Sequence, residues 1–60
     1  MQINDLAVYS RQLFDEYGPK AIALAAARAN EADDAGQPED AMTWRKIKSA
    51  LIELRGPHQG

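Results

Sequence analysis

The sequence predicts an all-α protein, either a three-helix bundle or a helical hairpin whose first arm is kinked. Apolar residues recur every three or four positions along most of the chain, and almost half of one long stretch is alanine. Prolines and glycines occur only where such stretches begin or end, or near the C-terminus. We predict helices at 4–17, 19–35 and 38–55 in a single domain, 1–55, followed by a disordered tail, 56–60.

The first predicted helix carries signals at both ends. Asn4 or Asp5 can cap its N-terminus. Its apolar face consists of Ile3, Leu6, Tyr9, Leu13, Phe14 and Tyr17. Gly18 and Pro19 favour a break, because proline disfavours helical geometry in the residue before it. A continuous helix kinked at Pro19 is the alternative.

The second predicted helix is rich in alanine, the strongest helix former. Its stripe of Ala21, Ile22, Ala25, Ala29 and Ala32 forms a nearly flat face. Small side chains bury little apolar area, so this helix must gain its hydrophobic stabilisation from bulkier residues of the other two.

The third predicted helix begins at Pro38, and acidic residues in its first turn suit the helix dipole. Gly56 and Pro57 end it. Its core stripe is Trp44, Ile47, Leu51 and Leu54, with the three-four-three spacing of a helix packed against another helix.

Candidate residues for catalysis are scarce. There is no cysteine, and the only histidine, His58, lies in the predicted tail. The carboxylates between the second and third helices do not match a calcium loop, because Met42 stands where a bidentate glutamate is required. We therefore predict a protein that is not an enzyme, with no catalytic, cofactor-binding or metal-binding residue and no small-molecule substrate.

Charge and hydropathy bear on location and partners. The net charge of −2 is too small to attract the chain to nucleic acid or to an anionic membrane. No apolar run approaches the ~20 residues of a membrane span, and the first residues lack a signal-peptide pattern. A cytoplasmic protein is expected.

The leading functional hypothesis is protein–protein contact. A 60-residue chain buries only about 60% of the surface that its unfolded form exposes. Val8, Met42 and Ile52 fall outside the main apolar faces and are the candidate interface residues. They favour a homodimer formed by the third helix together with the first, or contact with another protein. The alternative is a nucleic-acid-associated regulator that uses Arg45, Lys46, Lys48 and Arg55.

The chain also resembles a group of short uncharacterised bacterial helical proteins. The resemblance covers residues 9–55 and rests on the Tyr17-Gly18 break, the alanine-rich helix around Arg28, the Gly36 turn and the closing helix. In that helix the matching segments are Trp44-Arg45-Lys46-Ile47 and Ala50-Leu51-Ile52-Glu53-Leu54. The chain departs from the group at Gln37, where the group often has aspartate, and at Leu51-Ile52, where the apolar pair is shifted by one position. The resemblance implies a helical fold and assigns no function.

Overall fold

The computed structural model describes residues 5–56, which form a three-helix arrangement without strands. The helices are α1 (Leu6–Tyr17), α2 (Lys20–Asp34) and α3 (Pro38–Arg55). The predicted all-α fold is confirmed, with helix bounds within two residues of those predicted. The tail predicted beyond Gly56, and Ile3 and Asn4 at the other end, lie outside the described residues.

α1 and α2 are two separate helices, and not the single helix kinked at Pro19 that was the alternative from the sequence. Asp5 caps α1, because its Oδ1 atom accepts a hydrogen bond of 3.2 Å from the backbone N–H of Val8. At the other end, Gly18 has a φ of +64°, and its N–H donates to the Phe14 carbonyl over 2.7 Å. Glycine adopts this backbone conformation at little cost, so the chain turns sharply before α2, whose N-cap position is occupied by Pro19.

The α2–α3 turn closes with a Schellman motif. The N–H of Gln37 donates to the Ala32 carbonyl over 2.8 Å, and the N–H of Gly36 donates to the Asp33 carbonyl over 3.1 Å. Gly36 occupies the position with positive φ. Because the turn is short and the two helices pack extensively, α2 and α3 form an antiparallel hairpin.

The core lies where α1 and α2 both meet α3. Its buried members are Leu13, Ala21, Ala25, Ile47 and Leu51. The alanine stripe of α2 is buried as predicted, apart from Ile22, which is half-buried. Trp44 is half-buried and meets the ring of Tyr9 edge-on, with ring centroids 6.2 Å apart.

Two residues that the sequence assigned to apolar core faces are exposed. Leu54 is 38% exposed and Tyr17 is 49% exposed. Each lies in the last turn of its helix, where fewer neighbours surround a side chain. Leu54 also faces Ala7 and Ala50, whose methyl groups are too small to cover it. The Leu54 core prediction is therefore wrong, whereas Ile47 and Leu51 are fully buried.

Ser10 is a buried polar residue that the sequence did not predict. It lies on the inner side of α1 with no exposed area, and its Oγ atom has no hydrogen-bond partner among the described residues. A buried hydroxyl without a partner costs free energy because it loses its hydrogen bonds to water.

We therefore expect Ser10→Ala to raise the free energy of unfolding. Serine has a lower helix propensity than alanine by up to about 0.7 kcal/mol, so part of the gain is generic. The exposed Ser49 of α3 provides the control, since Ser49→Ala makes the same change without removing a buried hydroxyl. In urea unfolding, the gain in the free energy of unfolding should be about 1 kcal/mol larger for Ser10→Ala than for Ser49→Ala. A smaller gain at Ser10 than at Ser49 would contradict this account.

Candidate interaction surfaces

The three candidate interface residues are all exposed. The exposed fractions are 52% for Val8, 56% for Met42 and 38% for Ile52. They do not form one patch, because Val8 belongs to α1, whereas Met42 and Ile52 lie about 15 Å apart along the axis of α3. Val8 lies on α1, on the side away from the buried Leu13. The structure therefore places Val8 on a different face of the molecule from Met42 and Ile52.

One face lies along the seam between α1 and α3. Ala7, Ala50, Glu53 and Leu54 line a shallow depression there. Val8 follows Ala7 and is exposed on the outer side of α1, next to the depression in sequence but not among its lining residues, and Arg11 lies one turn after Ala7 on the same side of α1. We call this the α1–α3 surface and define it by Ala7, Val8, Arg11, Ala50, Glu53 and Leu54.

The α1–α3 surface has an apolar centre with charges of both signs at its edges. Arg11 on α1 is exposed, and its Nε atom lies 3.9 Å from Oδ1 of Asp15, an exposed and therefore weak ion pair. Glu53 supplies a carboxylate on the α3 side. Of this surface, the sequence pattern predicts Val8 alone as an interface residue, because the remainder depends on which side of α1 packs against α3.

A second face lies on the side of α3 that points away from the core. Met42, Arg45, Ser49 and Ile52 follow one another at spacings of three, four and three residues and are all exposed. We call them the outer α3 stripe. Their spacing is the heptad pattern of a helix that packs against another helix. The sequence contained this pattern, but it was hidden by the polar residues Arg45 and Ser49.

Basic side chains flank the outer α3 stripe. Lys46 lies on one edge together with Glu53, and Lys48 and Arg55 lie on the other edge. From Met42 to the end of α3 there are four cations and one carboxylate. The outer side of α3 is therefore locally basic on a chain that is acidic overall.

Arg45 is joined to the α2–α3 turn. Its Nη2 atom donates to Oδ2 of Asp33, near the end of α2. Lys48, a second candidate for nucleic-acid contact, is half-buried. These two residues are thus less available to phosphates than the sequence suggested, while Lys46 and Arg55 are exposed.

A cleft also lies at the α2–α3 turn. Its lining residues are Arg28, Glu31, Ala32, Ala35, Gln37, Asp40 and Trp44. Nη1 of Arg28 donates to Oε1 of Glu31 over 3.1 Å, which neutralises part of the charge. Within residues 5–56, no group of three or more histidine, aspartate or glutamate side chains is placed to hold a metal ion.

Comparison with known proteins adds no assignment. Neither a protein family, nor a curated protein, nor a solved structure matches the chain. The resemblance to short bacterial helical proteins therefore stays a prediction. Among the described helices, none has the length and apolar character needed to cross a membrane.

The Asp33–Arg45 pair yields a stability prediction, with Asp34 as its neighbour for comparison. Both carboxylates lie in the last turn of α2, where the helix dipole disfavours negative charge. Asp34→Asn should therefore stabilise the protein by a few tenths of a kcal/mol, about the low end of such dipole effects. Asp33→Asn also loses an exposed ion pair, worth about 0.2–1 kcal/mol, and should be the less stable of the two variants.

Thermal unfolding of both variants at low salt and at 1 M salt measures this difference. The gap between the variants should shrink at high salt, where the Debye length falls to about 3 Å. A gap that is independent of salt would show that Asp33 acts by some means other than its charge.

Proposed function

We propose that the protein acts through protein–protein contact and self-associates through the α1–α3 surface. The observation that carries the proposal is the exposure of Leu54, which lines a shallow depression together with Ala7, Ala50 and Glu53, with Val8 also exposed on the adjoining outer side of α1. An exposed leucine thus lies in a shallow recess whose other apolar side chains, Ala7 and Ala50, are small. A second copy of the same surface can fill that recess.

The small core favours association. Most buried residues of α2 are alanines, which remove little apolar area from water. A standard protein–protein interface buries about 800 Å² on each partner. This is roughly a fifth of the 4243 Å² that the chain exposes. Contact between two copies would therefore add substantially to the apolar area that each copy buries.

The charges on this surface suit a two-fold arrangement. In such an interface both copies use the same surface, and every contact between two different residues occurs twice. Two residues that attract each other across the interface must therefore both belong to that surface. Arg11 on α1 and Glu53 on α3 meet this requirement, because each can face the other residue in the partner copy. Opposite charges at the rim favour the correct register and disfavour others.

The first test is the effect of two substitutions on the mass in solution. Light scattering after gel filtration should show a mass that rises above 6.6 kDa with concentration in the wild-type protein. Leu54→Asp and Val8→Glu should each hold the protein at the monomer mass, because they place a carboxylate at the apolar contact. Val8 is at the third position of α1, where a glutamate supports the N-cap, so Val8→Glu should stay folded.

The matched controls are substitutions that introduce an acidic side chain on other faces of the molecule. Ala23 is exposed on α2, opposite its buried stripe, and Ala23→Glu should leave association unchanged. Ile52→Asp tests the outer α3 stripe and should also leave it unchanged. A wild-type mass near 6.6 kDa at every concentration would refute self-association. Dissociation by Ile52→Asp but not by Leu54→Asp would place the interface on the outer α3 stripe instead.

A charge exchange tests the two-fold arrangement. Arg11→Glu and Glu53→Arg should each weaken association, because each single change brings like charges together at the rim. The double variant restores opposite charges and should recover association to near the wild-type level. Sedimentation equilibrium of all four proteins measures the coupling between the two positions. Additive losses in the double variant would show that Arg11 and Glu53 do not face each other across the interface.

A further inference from the structure

We infer that the outer α3 stripe is a second docking surface, and that its partner is an acidic amphipathic helix of another protein. The stripe shares no residue with the α1–α3 surface, although Glu53 lies at the edge of both, and the inference does not depend on self-association. It combines an exposed heptad spacing with flanking cations.

The stripe has the geometry of one half of a two-helix contact. Met42 and Ile52 supply large apolar side chains at its two ends; between them lie Arg45, whose Nη2 atom donates to Oδ2 of Asp33, and Ser49. A small residue at that position allows a partner helix to approach closely, while the end residues pack into it. The distance from Met42 to Ile52, about 15 Å, matches three turns of a docked helix.

The flanking charges select the partner. Lys46 lies on one edge of the stripe together with Glu53, and Lys48 and Arg55 lie on the other, so three cations flank the stripe against one carboxylate. None of these three takes part in an ion pair among the described residues. A partner helix with carboxylates beside its apolar stripe would bring an opposite charge to each edge.

A second copy of this chain fits the same stripe poorly. A parallel pairing about a two-fold axis places Arg45 against Arg45 of the other copy. An antiparallel pairing with Met42 opposite Ile52 brings Lys48 close to the second copy's Lys48. Like charges in contact oppose association, so both self-pairings are disfavoured. The observations therefore favour an acidic partner of different sequence.

A designed peptide tests the inference. The probe has three heptads, with leucine at the first and fourth positions, glutamate at the two flanking positions and alanine elsewhere. The control peptide has lysine in place of glutamate. Titration of the fluorescently labelled peptides with the full chain, followed by anisotropy, should show binding of the acidic probe that weakens with added salt. The basic peptide should bind at least tenfold more weakly, a difference of about 1.4 kcal/mol.

Substitutions then locate the binding surface. Ile52→Asp and Lys46→Glu should each weaken binding of the acidic probe by about tenfold or more, with circular dichroism unchanged. Val8→Glu lies on the α1–α3 surface and should leave probe binding unchanged. Equal binding of both peptides, or no binding of the acidic one, would overturn the inference. Salt-sensitive binding of a short DNA duplex that Lys46→Glu abolishes, without binding of the acidic peptide, would overturn it in favour of nucleic acid.

Discussion

The contact between α3 and the alanine face of α2 is the interaction on which the other features depend. Ile47 and Leu51 are the two largest apolar side chains that are fully buried, and they pack where α2 presents Ala21 and Ala25. Because alanine side chains are short, the backbone of α2 can approach α3 closely. α1 completes the core chiefly through Leu13. Because few bulky residues are buried, the core removes only a small apolar area from water.

The small size of the core also determines which apolar side chains remain on the surface. With small residues on one side of each contact, the chain cannot cover every large apolar side chain that it carries. Within residues 5–56 the exposed ones are Val8, Tyr17, Met42, Ile52 and Leu54. They belong to α1 and α3, since α2 has its larger apolar residues half-buried against the core. Both proposed docking surfaces therefore involve α3, while α2 acts mainly as the support on which α3 is held.

Much of the fold could be predicted because its signals are local. The Gly18-Pro19 break, the Gly36 turn and Pro38 at the start of α3 each follow from backbone preferences of single residues. The surfaces were harder, because burial depends on which neighbour stands opposite. Leu54 continues the helical spacing of Ile47 and Leu51, so the pattern predicts burial for it as well. It faces Ala7 and Ala50, however, and is exposed. Ser10 is buried although serine usually favours solvent, since its position on α1 faces inward.

The α2–α3 turn has a consequence for the route by which the chain folds. The Schellman motif at Gly36 and Gln37 joins the two helices with the most extensive mutual contact, so their interactions link residues that are close in sequence. Closing such a short loop costs little conformational entropy, and topologies with local contacts fold quickly. The contact between Tyr9 and Trp44, by contrast, closes a loop that includes the whole of α2. The α2–α3 hairpin is thus the part of the molecule with the lowest entropic barrier to formation. α1 packs against the hairpin after the hairpin has formed.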